Sequence, residues 1–178
     1  MLRWLAGKYI DRFAKRYDYD AAYLHAMLRE APDAAFKFAR IAEVSNHRRV
    51  VSESAYFAAK LSATLSEDCG PCAQLVVNMA REAGVAESDI VALLERNEPA
   101  MSRDIALGFR FANAVLSRSG DDDAARDLVR AVWGEAGVIE LSVAIAMSRV
   151  YPVLKAGMGY AKACRRVRVG GRDVAVAA

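Results

Sequence analysis

Two cysteines in the run Cys69-Gly70-Pro71-Cys72 are close enough in sequence to react with each other. This spacing lets both thiols face the same way at the start of a helix, and Pro71 suits a first helical turn because its missing N–H is not needed there. The unpaired N–H groups and the dipole of a helix N-terminus stabilise a thiolate, which lowers a cysteine pKa below its free value of about 8.5. The pair therefore predicts a reversible two-electron dithiol.

Two other interpretations of the pair were weighed. Structural zinc takes four ligands, and His25 and His47 are distant from the dithiol and from each other, so no metal or other cofactor is predicted. Buried cysteines also pack as small apolar residues, and this structural role is the main alternative to redox chemistry. The third cysteine, Cys164, is expected to be a small core or interface residue.

Length and composition indicate one soluble domain. The 178 residues are predicted to form a single unit over 1–178, with an N-terminal helical extension at 1–31 and a C-terminal tail at 165–178. A net charge of +3, spread along the chain, argues against nucleic acid as the main partner. The odd cysteine count, the absence of a recognisable secretion signal and the lack of an apolar run near 20 residues favour the cytoplasm.

Helical periodicity dominates the sequence. Apolar residues recur at spacings of three and four, which predicts an all-α fold with helices before and after the dithiol. A thioredoxin fold is thereby excluded, since it needs strands on both sides of the motif. The last long helix is expected from about Val138, kinked or divided at Pro152. In the tail, alternating residues around Gly170-Gly171 predict a short β-hairpin, with a frayed terminus as the alternative.

The first predicted helix, about residues 2–17, is amphipathic. Leu5, Tyr9, Phe13 and Tyr17 form one stripe, and basic residues lie largely off it. We expect this stripe to pack on its own domain or on a neighbouring subunit. Contact with a membrane surface is the alternative.

From about residue 32 to residue 164 the chain resembles the carboxymuconolactone decarboxylase and AhpD-like alkylhydroperoxidase superfamily. The resemblance rests on the dithiol and on the order of the segments around it, which are Pro32-Asp33-Ala34-Ala35-Phe36, Ala83-Gly84-Val85-Ala86-Glu87-Ser88-Asp89-Ile90, Phe109-Arg110-Phe111-Ala112-Asn113-Ala114-Val115 and the closing helix at 138–151. It implies an AhpD-like helical bundle and a homo-oligomer such as a trimer or hexamer. It also implies a thiol-dependent alkylhydroperoxidase, in which one thiolate attacks a peroxide, the second thiol resolves the sulfenic acid to a disulfide, and an external reductant restores the dithiol.

The sequence departs from this family at the positions of its proton relay. The family's peroxidases place a His four residues after the second cysteine, where this chain has Val76, and a Glu about twelve residues before the first, where it has Phe57. Pro71 stands where some members have a further His. Without these groups, thiolate formation depends on the helix terminus alone.

Two carboxylates are candidate substitutes for the relay. Glu53 lies one helical turn before Phe57, and Glu67 lies two residues before Cys69. Each is equally explained as a charge near a helix N-terminus. The predicted catalytic residues are therefore Cys69, Cys72, Glu53 and Glu67. Which cysteine attacks stays open, because the resemblance favours Cys72 and exposure at a helix start favours Cys69.

A second hypothesis follows from the missing relay. The chain would keep the helical fold, lose the peroxidase chemistry and serve a binding or structural role as an oligomer. Lactone decarboxylation is the weaker family activity here, since no residues in the sequence suggest a lactone site.

Overall fold

The fold is all-α with one terminal hairpin, as the periodicity predicted. A computed structural model describes residues 1–118, 120, 122–162 and 166–177. The helices in these ranges are α1 (Leu2–Tyr17), α2 (Ala22–Glu30), α3 (Pro32–Ala39), α4 (Ile41–Ser45), α5 (Glu53–Leu65), α6 (Gly70–Glu82), α7 (Glu87–Leu94), α8 (Arg103–Ser117) and α9 (Asp122–Gly157), with a 3₁₀ turn at Glu98–Ala100. The strands are β1 (Arg166–Val169) and β2 (Arg172–Ala175).

Helix α5 lies at the centre of the bundle and packs on α6, α8 and α9. Every residue from Ala55 to Thr64 is buried, and many of these residues are small. On α8, Gly108 faces the α5 backbone so closely that a Cβ added there would lie 2.9 Å from the Cα of Ala55. Small residues therefore let the two helices approach at backbone distance.

The sequence also predicts a break flanked by Gly134 and Gly137, and the structure confirms it. Helix α9 begins at Asp122, is broken at Gly134, where the backbone is left-handed with φ of 67°, and then continues to Gly157. Pro152 was expected to kink or divide the last helix, and the structure shows the helix undivided there. By length and composition α9 is the one described helix that could cross a membrane, a property that the sequence analysis missed. In the fold it packs on α5 and α8.

A buried carboxylate fixes the chain where it enters α5. Glu140 of α9 accepts hydrogen bonds from the backbone N–H groups of Arg49, Val50 and Val51, at 2.8–3.2 Å. Burial alone would raise the pKa of Glu140, but these three donors outweigh it and hold the pKa below its usual range. Helix α5 is thereby anchored to α9 at its N-terminal end.

Helices α1 to α4 form a layer beside the bundle with a smaller apolar cluster of its own. Tyr19, Tyr23 and Met27 lie at its centre, and Phe13 and Tyr17 of α1 pack against them. Leu5 and Tyr9 stay exposed, so only the C-terminal half of the predicted α1 stripe packs on the domain.

The C-terminal hairpin is confirmed. Strands β1 and β2 pair antiparallel with Val167 opposite Val174 and Val169 opposite Arg172. Gly170 and Gly171 form the turn with positive φ, and the three valines are buried in the main core. On α6, the Gln74 side chain donates to the carbonyl of Arg168 and accepts from its N–H, at 2.9 and 2.7 Å. These bonds fix the hairpin to the helix that carries the dithiol.

Candidate active site

The dithiol lies at the N-terminus of α6, where it was predicted. Cys69 is the N-cap residue and Cys72 is in the first turn, with Cα atoms 5.3 Å apart and the two sulfurs at disulfide-bonding distance. The N–H of Gly70 donates to the carbonyl of Lys162 at 2.8 Å, which holds this end of the helix in place. Cys69 is 0% exposed and Cys72 is 4% exposed. Neither sulfur lies at an open helix end, so a reactant must reach the pair through the protein.

A cavity of about 350 Å³ leads to one of the two cysteines. Cys72 lines it and Cys69 does not. The walls are mainly aliphatic and aromatic, and they come from α1, α2, α3, α4, α6 and α9, with Lys60 and Thr64 from α5. A volume of this size falls within the range of small-molecule sites.

The cavity reaches the surface on the side of the N-terminal layer. Its lining residues Tyr9, Ala39, Ala42 and Asn46 are themselves exposed, whereas Cys72, Lys60 and Thr64 are buried. A molecule entering between α1 and α4 would therefore pass an apolar channel before it reached the sulfur.

Lys60 is the only charged side chain that lines the cavity in the described part of the chain. It is 5% exposed, and its Nζ donates to the carbonyl of Ser45 at 3.0 Å and lies 3.3 Å from the Ser45 hydroxyl and 3.4 Å from the Tyr56 hydroxyl. No described carboxylate forms an ion pair with it. Burial lowers the pKa of Lys60 to about 8, because the charged ammonium is poorly solvated there.

Ser148 of α9 is a second polar residue of the cavity lining, and it is 5% exposed. Its hydroxyl has no hydrogen-bond partner among the described residues. Because a buried hydroxyl without a partner loses free energy, this oxygen is available to a bound molecule.

The two predicted carboxylates lie outside the cavity lining. Glu53 is the first residue of α5 and is paired with Arg48. Glu67 precedes the dithiol and is paired with Arg149 of α9. Both carboxylates are thus paired with arginines, and Glu67 stands two residues before Cys69 in the sequence.

Neither histidine belongs to the cavity lining. His25 pairs with Asp11 at 3.0 Å on the surface of α1 and α2, and His47 lies in the loop after α4. Cys164 falls outside the described residues, so its predicted packing role is untested. Within the described ranges no group of three or more His, Cys, Asp and Glu is arranged to hold a metal.

The positions of the family's relay are apolar in space as well as in sequence. Val76 lines the cavity one turn after Cys72, and Phe57 packs edge-to-face on Tyr56 with ring centroids 5.5 Å apart. Lys60, one turn after Phe57 on α5, was missed by the sequence analysis. The signal available was a lone lysine in the apolar run Ala58-Ala59-Lys60-Leu61-Ser62-Ala63.

No protein-family model, no curated protein and no solved structure matches this chain. The chemistry of the dithiol and of the cavity is therefore the basis for a functional proposal.

Proposed function

We propose that this protein is an AhpD-like thiol oxidoreductase, which uses Cys69 and Cys72 to reduce hydroperoxides or to exchange disulfides. The observation that carries the proposal is the position of Cys72: it is paired with Cys69 at a helix N-terminus and lines an apolar cavity open to the surface. A purely structural cysteine pair would have no need of such a cavity.

Because Cys72 lines the cavity and Cys69 does not, we propose Cys72 as the attacking thiol and Cys69 as the resolving thiol. The Cys72 thiolate attacks the terminal oxygen of the hydroperoxide, the O–O bond breaks, and the alkoxide leaves as an alcohol after taking a proton. Cys69 then attacks the sulfenic sulfur of Cys72, which releases water and forms the disulfide. An external thiol reductant supplies two electrons and two protons to restore the dithiol.

Single-cysteine variants test the proposal. We expect pre-reduced wild type to consume cumene hydroperoxide, Cys72→Ser to consume none, and Cys69→Ser to consume one equivalent and hold a sulfenic acid that dimedone traps. Cys164→Ser is the matched control and should behave as wild type. Peroxide consumption that is unchanged in Cys72→Ser would contradict the assignment.

The alternative is a helical oligomer with a binding role and no redox chemistry. The apolar Val76 and Phe57 at the relay positions favour it. If wild type, once reduced, neither consumes hydroperoxide nor exchanges with a disulfide such as oxidised dithiothreitol, this alternative replaces the oxidoreductase.

A further inference from the structure

We infer that the cavity binds a linear aliphatic carboxylate, with the carboxylate on Lys60 and Ser148 and the alkyl chain along the apolar walls. The inference deepens the proposed function by naming its substrate class, a hydroperoxide of such an acid. It depends on that function only for the reaction at Cys72, because binding itself needs no thiol chemistry.

The charge of Lys60 is the first argument. A buried ammonium is costly unless it is both hydrogen-bonded and paired with a counter-charge. Lys60 has the hydrogen bonds, from neutral oxygens of Ser45 and Tyr56, and it lies 5.0 Å from the centre of the Tyr56 ring, but no described carboxylate supplies the counter-charge. A ligand carboxylate would supply the missing counter-charge in a site that excludes water, where such a pair is strong.

The hydroxyl of Ser148 is the second, independent argument. It is buried, it lines the same cavity, and it has no partner within the described residues. A carboxylate has two oxygens, so it can accept from the Lys60 ammonium and from the Ser148 hydroxyl at once. Polar groups placed in this way fix the orientation of a ligand in an otherwise apolar pocket.

The remaining walls fit an alkyl chain. Side chains such as Ile10, Phe13, Leu24, Phe38 and Leu75 line the space and carry no charge. The buried tyrosines Tyr19, Tyr23 and Tyr151 of the lining are held in their neutral form, since burial raises the pKa of each, that of Tyr19 to about 12. Because Lys60 is the only cation in the described lining, a second anionic group on the ligand would have no partner in the cavity. This favours a ligand with one charged end.

Titration calorimetry with the unreactive acid dodecanoate tests the inference, with dodecanol as the uncharged probe. We expect wild type to bind one dodecanoate per chain. Lys60→Met should weaken dodecanoate about tenfold or more and change dodecanol by less than about threefold, as expected for loss of a buried charge pair. Ser148→Ala should weaken dodecanoate by about threefold, as expected for one lost hydrogen bond.

Lys155→Met is the matched control. Lys155 is also buried and lies over the Tyr19 and Tyr23 rings, at 4.6 and 5.0 Å, as Lys60 lies over the Tyr56 ring at 5.0 Å, but Lys155 is outside the cavity lining. The Lys155→Met variant should bind dodecanoate and dodecanol with affinities within about threefold of wild type, a change in binding free energy below about 1 kcal/mol. Retained dodecanol binding also shows that each variant is folded.

Three results would overturn the inference. These are the absence of dodecanoate binding to wild type, binding of dodecanol alone, and dodecanoate binding that Lys60→Met and Ser148→Ala leave unchanged. Because dodecanoate carries no peroxide, none of them bears on whether the dithiol is redox-active. Conversely, an inert dithiol in a protein that binds dodecanoate through Lys60 would remove the proposed function alone.

Discussion

Cys72 is 4% exposed, yet it lines a cavity that opens at the surface. Under the proposed function, access to Cys72 is therefore through the cavity rather than directly from bulk solvent. This arrangement allows a protein to keep a thiolate away from most oxidants in solution and still react with a molecule that fits the cavity.

Ala42 lies at the exposed end of the cavity, so Ala42→Trp should narrow the route to Cys72. We expect the rate with cumene hydroperoxide to fall about tenfold or more, because a bulky reactant is kept from its attack geometry, while hydrogen peroxide stays within about threefold. Stopped-flow measurement of thiol oxidation gives both rates. Equal slowing of the two oxidants would contradict access through the cavity.

Lys60 makes the stability of the fold depend on pH in a predictable direction. Its folded pKa of about 8 lies below its unfolded value of about 10.4, so between these pH values the unfolded chain holds a proton that the folded chain has released. The free energy of unfolding should therefore rise with pH across this window, relative to Lys60→Met, by an amount on the order of 2–3 kcal/mol.

Urea unfolding of wild type and Lys60→Met at about pH 7 and about pH 9.5 measures this difference. Lys37→Met, at an exposed lysine on α3, is the control for removal of a lysine charge. The free energy of unfolding of wild type, relative to that of Lys60→Met, should rise between these two pH values. If this difference were constant, or fell as the pH rose, the burial of the ammonium would be contradicted.

Among the elements, the closest approach is that of α5 and α8. A Cβ on Gly108 would meet the Ala55 backbone, which cannot move aside without separating the two helices. We expect Gly108→Ala to lower the free energy of unfolding by about 2 kcal/mol or more. Chemical denaturation of wild type and Gly108→Ala measures this loss of stability.

Gly7→Ala on α1 is the matched control for this change. An added Cβ there meets nothing within 4 Å, so the variant should be unchanged or more stable by up to about 1 kcal/mol. If both glycine variants had the same stability, close packing of α5 on α8 would not be the cause.

The sequence predicted the elements that its local signals specify. The spacing of apolar residues predicted α1 over about residues 2–17, and the structure has it at Leu2–Tyr17. The Gly170-Gly171 pair similarly predicted the hairpin, because its turn needs positive φ.

Long-range contacts could not be predicted in this way. The Glu140 carboxylate bonds to amides about ninety residues earlier, and no local pattern marks that partner. The cavity depends on how the N-terminal layer covers α6 and α9. For this reason Cys69 and Cys72 were identified from the sequence, whereas Lys60 and Ser148 were found only in the fold.

At the scale of the whole molecule, α9 leaves apolar side chains on the surface. Leu128, Val132, Ile139 and Val153 are all exposed on this helix. We propose that a homo-oligomer, a trimer or hexamer, covers them, since large exposed apolar side chains favour association. Light scattering should give the mass of a trimer or hexamer for wild type and a lower mass for Ile139→Asp. A monomeric wild type would contradict this proposal.

The central claim is that Cys69 and Cys72 form a working redox couple, and single-turnover stoichiometry tests it most directly. Pre-reduced protein, freed of reductant, is mixed with excess hydroperoxide, and the peroxide consumed and thiols lost are counted together. We expect one hydroperoxide to be consumed for every two thiols lost, with the new disulfide linking Cys69 to Cys72. Thiols that persist unchanged beside unconsumed hydroperoxide would contradict it.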